Sequence, residues 1–165
     1  MPAIRFPQLA ERFISALELA GATVVAISGT DKRPLVLSIA YRDITHRMEV
    51  YLWTITQGGK GRNRPREFRI QRTATAPFRL KAGVRTVMGG WHEETGTFAF
   101  WDVRRHLTLA KSPSSQVSLD TLESAATRGM ATEVRKTAEG QEIAIAVQQD
   151  YFCLLYTSPS PRDRG

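Results

Sequence analysis

Apolar side chains recur at helical spacing near the start of the chain. Leu9, Phe13, Ala16, Leu17 and Ala20 share one face of a helix predicted over residues 7–20. Pro7 sits where a first turn tolerates proline, and Gly21 sits where a C-terminal cap is expected. The pattern then changes to one rich in β-branched and aromatic residues, predicting strands over residues 23–28, 35–41 and 48–56. In the third, Val50, Leu52, Thr54 and Thr56 alternate with Tyr51, Trp53 and Ile55. Large side chains on both faces predict a strand in the sheet interior. Residues 57–65 are a glycine-rich basic connection, and residues 66–73 resume a strand with Phe68 and Ile70 opposed to Arg66, Arg69 and Arg72. Further strands are predicted over 84–88, 97–103 and 142–148, with a turn at 94–96. A second helix over about 118–128 puts Leu119, Leu122, Ala125 and Ala126 on one face, with Ser118 or Asp120 as its cap. Strands outnumber helices and the connections are short. That favours an α+β domain around an antiparallel sheet, with barrel-like closure left open as an option.

At 165 residues the chain is about one domain, and 42% hydrophobic content is enough for a core. No apolar run approaches the roughly 18 to 20 residues of a spanning helix, and no signal-peptide pattern opens the chain, so a cytoplasmic protein without membrane contact is expected. The lone cysteine, Cys153, excludes an internal disulfide and a multi-cysteine zinc site. Residues 153–163, CLLYTSPSPRD, resemble the translated end of a transposon adapter used in sequencing libraries. A Ser/Pro-rich linker is the biological alternative. On the adapter reading, residues 1–152 form a single domain of a truncated protein and residues 153–165 are an artefactual tail.

Charge adds more than composition does. Without Arg162, Asp163 and Arg164 the chain has 21 basic and 15 acidic residues, a net +6. Residues 57–85 alone carry Lys60, Arg62, Arg64, Arg66, Arg69, Arg72, Arg79, Lys81 and Arg85 against Glu67, a net +8, so the remainder is net −2. Basicity confined to one segment points to a polyanion. Seven of the nine are arginine, whose planar fork suits phosphate and guanine edges. The plain alternative is a solvated loop without a partner.

The strand–glycine–strand run from Tyr51 to Gln71 predicts a hairpin whose arginines flank a groove-sized tip, with glycines that permit close backbone approach to phosphate. It lacks the GK-[ST] ending of a phosphate-binding P-loop. Trp91, Phe98, Phe100 and Trp101 could stack an unpaired base, although strand aromatics are more often core. His46, His92 and His106 have no metal-ligand spacing, so no metal and no cofactor are expected in this chain. Glu67 and Asp102 have the spacing of a magnesium nuclease, but with arginine in the lysine position; arginine stays protonated and activates water poorly.

The segments YLWTITQGG (51–59), RPREFRIQ (64–71), GGW (89–91), FAFWDVRRH (98–106) and SPSSQV (112–117) together resemble an N-terminal domain of bacterial restriction-endonuclease-type proteins. The resemblance covers about residues 51–147. Such proteins are often encoded beside DNA methyltransferases and carry a nuclease module that follows. Gln57 stands where they commonly have histidine. The resemblance implies a DNA-sensing domain of a restriction–modification defence system, partnered by DNA, a downstream nuclease domain and a neighbouring methyltransferase, with magnesium an option for the full-length protein. The contact residues expected are Lys60, Arg62, Arg64, Arg66, Arg69 and Arg72 on the hairpin, with Trp91 and Trp101. Two other readings compete: the domain is itself a magnesium-dependent nuclease using Glu67 or Asp102, or it is a non-catalytic RNA-binding or interaction module.

Overall fold

The computed structural model describes residues 4–58, 65–72, 78–107, 114–137 and 140–152. Helix α1 (Phe6–Leu19) begins with Pro7 in its first turn, where the Arg5 amide donates to Gln8 Oε1 at 3.1 Å. It ends at Gly21, whose φ of +97° is cheap for a residue without Cβ. Its predicted face is the buried one: Leu9, Phe13, Ala16 and Leu17 are in the core, joined by Phe6 and Ala10.

Seven strands form the larger sheet: β1 (Thr23–Ser28), β2 (Leu35–Tyr41), β3 (Ile44–Thr54), β6 (Val84–His92), β7 (Thr97–Trp101), β9 (Met130–Thr137) and β10 (Gly140–Gln148). Their spatial order is β1-β2-β3-β6-β7-β10-β9, with β1 and β9 at the two edges. Every pairing is antiparallel except β3 with β6. The sheet is therefore mostly antiparallel and open, and β3 is interior as its two-sided apolar pattern requires. A smaller sheet, in the order β4 (Thr56–Gln57), β5 (Glu67–Gln71), β8 (Ser114–Ser118), is antiparallel throughout. Helix α2 (Leu119–Arg128) follows β8 directly; Ser118 caps it, accepting from the Thr121 amide at 3.2 Å.

The pleat sorts the core onto two faces. Leu35, Leu37, Ile39, Met48, Val50 and Leu52 pack under α1 with Trp91, Phe98 and Phe152. Phe13 meets the Phe98 and Phe152 rings edge-on at 5.9 and 5.6 Å. Trp53, Met88, Ala99, Trp101, Ala144 and Ala146 build the opposite face, covered by Leu122 and Ala125 of α2 and by Ile70 and Val117 of the smaller sheet.

Three boundaries and two whole strands differ most from expectation, each for a physical reason. β3 starts four residues early, because Arg42 and Asp43, at φ of 49° and 64°, form a two-residue hairpin turn that sequence preference would assign to Asn-Gly. β6 runs on through Gly89 and Gly90, which serve close approach. A Cβ on Gly89 would lie 2.7 Å from the Ala99 carbonyl oxygen, and one on Gly90 would lie 2.4 and 2.6 Å from Ile70 and Ile55 side-chain carbons. The predicted strand 97–103 stops at Trp101, because Asp102 caps a 3₁₀ turn, Val103–His106. β8 and β9 went unseen: β8 is serine-rich, and β9 is an edge strand with few apolar residues.

Gly90→Ala is expected to cost about 1–3 kcal/mol as an overpacking change between the two sheets. The urea midpoint reads this directly; an unchanged midpoint would mean that the smaller sheet yields without resistance.

Candidate nucleic-acid interface

The glycine-arginine run is the connection of a hairpin. Thr56 pairs with Arg69 and Gln57 with Phe68, and the Gly58 amide donates to the Glu67 carbonyl at 2.8 Å. Lys60, Arg62 and Arg64 lie in residues 59–64, outside the described residues. β3 reaches this hairpin by leaving the larger sheet at Ile55, whose amide donates to the Trp91 carbonyl at 2.8 Å. The basic segment is thus mounted on the smaller sheet and braced against the core through Phe68 and Ile70, with Phe78 buried further along.

The arginines on this hairpin differ in kind. Arg66 is exposed, but its guanidinium is held by Asp120 and by Glu123 at 3.2 Å, both on α2. The Leu119 amide donates to the Arg66 carbonyl at 2.8 Å. Arg66 therefore joins hairpin to helix, and its acid partner Asp120 sits in the first turn of α2, where negative charge is favoured. Arg69 faces away from the core. Its aliphatic stem runs over Gly58, where a Cβ would approach Arg69 Cγ and Cδ to 3.0 Å. Its Nε is shielded from water and makes no hydrogen bond among the described residues. Arg72 shares the inward side with Phe68 and Ile70 and is only 7% exposed. Further along, Lys81 pairs with Glu49 at 2.8 Å, while Arg79 and Arg85 are exposed. Arg85 lies on the α1 side of the larger sheet, beside Phe13 and Leu17.

Both tryptophans are core residues. Trp91 is 3% exposed, packs on Phe98 at 4.7 Å, lies under the Arg12 guanidinium at 5.7 Å and donates its Nε1 to Glu93. Trp101 is 5% exposed and donates Nε1 to the Gln116 carbonyl at 3.1 Å.

The two carboxylates with nuclease-like spacing are engaged by arginines. Glu67 takes both forks of Arg135, at 2.7 and 2.8 Å; Arg135 Nη1 also reaches Gln116 at 3.2 Å, and its Nε goes to Glu133. Hydrogen bonding to Glu67 raises the Arg135 pKa above its usual range. Burial alone would raise the Glu133 carboxyl, but hydrogen bonds from Thr121, the Ser118 amide and Arg135 outweigh it and hold it low. Asp102 takes Nε and Nη2 of Arg104, at 2.9 and 2.7 Å, and caps the 3₁₀ turn. That hydrogen bonding keeps its carboxyl below the ordinary range. His106 pairs with Glu142, and His92 Nδ1 contacts Thr95 Oγ1 at 2.7 Å. No group of three His, Cys, Asp or Glu residues suited to a metal occurs among the described residues.

Sequence reasoning left one feature undrawn. A cleft of about 250 Å³ opens where β4 and β5 meet the end of β6, lined by Thr54, Thr56, Gln57, Phe68, His92 and Glu94 among others. Gln57 Nε2 donates to the Pro65 carbonyl at 3.3 Å, and the His92 ring meets Phe68 edge-on at 4.9 Å. The only sequence signal was adjacency: GGWHEE ends a strand beside the basic hairpin, but the pairing that joins them is non-local.

The fold is an open, mostly antiparallel α+β sheet with a charged hairpin on a second small sheet, and no helix among the described residues is long and apolar enough to cross a membrane. The chain belongs to the methylase-associated X1 family, whose model matches residues 46–155. It is thus a methylase-associated domain, which fits a restriction–modification setting. No curated protein and no solved structure matches it significantly.

Proposed function

We propose that this chain is a DNA-recognition domain of a restriction-type endonuclease system and that it contacts duplex DNA through the β4–β5 hairpin. The carrying observation is the pairing of Thr56 with Arg69 and Gln57 with Phe68, so that the sequence joining these paired residues is the glycine-rich, most basic segment of the chain. Methylase association supports the setting. In this reading Arg69, whose aliphatic stem runs over Gly58, is the base-edge or phosphate fork among the described residues, through its terminal guanidinium nitrogens. Lys60, Arg62 and Arg64 add charge from the tip. Arg66, tied to Asp120 and Glu123, positions the hairpin. The cellular setting is the cytoplasm, and the partners are a nuclease domain and a DNA methyltransferase.

The test is binding of a randomised duplex library. Arg69→Ala is expected to cost about 1–3 kcal/mol and flatten preference at one base position if Arg69 reads a base edge. Arg69→Lys keeps the charge and loses the fork, so it is expected to hurt reading and spare phosphate contact. Equal loss on all sequences would make the hairpin an anchor only. Double-stranded RNA bound as tightly, with the same Arg69 dependence, would replace DNA by RNA as the partner.

Magnesium belongs, in this reading, to the nuclease part. Glu67 and Asp102 are neutralised by Arg135 and Arg104, and neither has a lysine beside it to activate water. Incubated with duplex DNA and magnesium, this chain is expected to leave supercoiled plasmid intact. Nicking that disappears in Glu67→Ala or Asp102→Ala would establish the nuclease reading instead.

A further inference from the structure

We propose that the cleft at the foot of the hairpin accepts a single base turned out of the duplex, and that it prefers bases with an amine where guanine and thymine carry a carbonyl, namely adenine (N6) or cytosine (N4). This rests on the DNA-recognition reading and adds what is recognised. The cleft adjoins the basic segment directly, since β4 supplies Gln57 to the cleft and continues into Gly58 at the start of the tip. Its chemistry is nevertheless the opposite of the tip's. Among the described residues no lysine or arginine lines it, and Glu93 and Glu94 do. With Glu93 paired to Arg12, the Glu94 carboxylate disfavours phosphate there and admits a neutral or amine-bearing group. At about 250 Å³ it is smaller than the roughly 300 Å³ at which drug-sized sites begin, which suits one heterocycle.

The lining groups are those that read a flipped base. Phe68, half-buried, offers an aromatic wall for stacking. Gln57 uses Nε2 on Pro65, and its Oε1 has no partner among the described residues, leaving an acceptor. Burial lowers the His92 pKa despite the nearby Glu94 and Glu123, which favours the uncharged ring; with Nδ1 engaged by Thr95, Nε2 is the ring nitrogen left to meet a base. Glu94 is an acceptor only, and a carboxylate selects an amine over a carbonyl at the same ring position. Thr54 and Thr56 add hydroxyls that adapt to either. Trp91 and Trp101, closed within the cores, are not needed for stacking.

The experiment compares three duplexes of one sequence: fully paired, with adenine opposite an abasic site, and with hypoxanthine opposite the same abasic site. The unpaired base has little left to lose on extrusion, so the adenine lesion is expected to bind about tenfold more tightly than the paired duplex. Hypoxanthine presents a carbonyl where adenine has its amine, and that advantage is expected to vanish. A lesion that acts only by making DNA bend more easily would favour both lesions equally, which would overturn the proposal. Glu94→Gln, which can donate as well as accept, is expected to bring the adenine and hypoxanthine affinities within about twofold of each other. Tight binding of the paired duplex with no preference for either lesion would overturn the base pocket and leave DNA recognition standing. No binding to any of the three would overturn both.

Discussion

Affinity for duplex DNA is expected to fall by about two to three decades between roughly 50 and 200 mM salt. Each phosphate neutralised by lysine or arginine releases about 0.9 of a condensed counterion, so about five contacts give a log–log slope near −4.5. Five is a reasoned count. Residues 57–85 hold nine basic side chains, but Arg66 and Lys81 are occupied by carboxylates, Arg72 is buried, and Arg85 lies on the α1 side. That leaves Lys60, Arg62, Arg64, Arg69 and Arg79. Filter binding or fluorescence anisotropy over a salt series measures the slope. A slope near zero would end the electrostatic argument, and one of about −6.3 would mean that the ion pairs of Arg66 and Lys81 open on binding.

Arg135→Met is expected to destabilise the fold by about 3 kcal/mol, a value at the lower end for a broken buried ion pair because the groups keep some contact with water. Arg135 lies on β9, at the sheet edge, and satisfies Glu67 on β5 and Glu133 beside it. Its loss leaves two partly buried carboxylates facing each other without a cation. Glu133 also accepts from the Ser118 amide and hydroxyl at 2.8 and 3.0 Å, so the damage reaches the N-terminus of α2. Adding Glu67→Gln to Arg135→Met is expected to recover part of the loss by removing one charge, a coupling that a denaturation cycle reads. If Arg135→Met unfolds at the wild-type urea concentration, Glu67 is free for other chemistry, and the nuclease reading gains ground.

Much of the fold was legible in local pattern. α1, β1, β2, α2 and the 94–96 turn fall where periodicity and capping residues put them, because each is fixed by contacts a few residues apart. The hairpin carrying Arg69 was also legible, since two strand-like runs separated by glycines have few alternatives. The two missed strands show where local pattern fails. β8, with Ser114, Ser115 and Ser118, becomes a strand because β5 supplies its hydrogen-bond partners, with Phe68 opposite Val117 and Ile70 opposite Ser115. β9 is held by β10 and by Glu67 of β5, which takes Arg135, so its identity is set from outside.

The candidate site divides in the same way. The sequence by itself determined that positive charge is concentrated in residues 57–85, that arginine dominates it, and that glycines interrupt it, because charge and backbone freedom are properties of single residues. It could not say which arginines are available. Arg66 and Arg69 are three residues apart and alike in sequence, yet one is held by two acids of α2 and the other lies against Gly58. Only the tertiary structure decided that, by bringing together residues 54 and 57 positions apart. The same holds for Glu67, which local spacing made a candidate metal ligand and Arg135, 68 residues away, makes an ion-pair partner. Trp91 and Trp101 were ambiguous between stacking platform and core, and packing on both faces of one sheet placed them in the core. The cleft of Gln57, Phe68, His92 and Glu94 exists only where the end of β6 meets the hairpin of the smaller sheet. Ion pairing and concavity depend on pairs of groups far apart along the chain, and a linear pattern carries no record of which pairs meet.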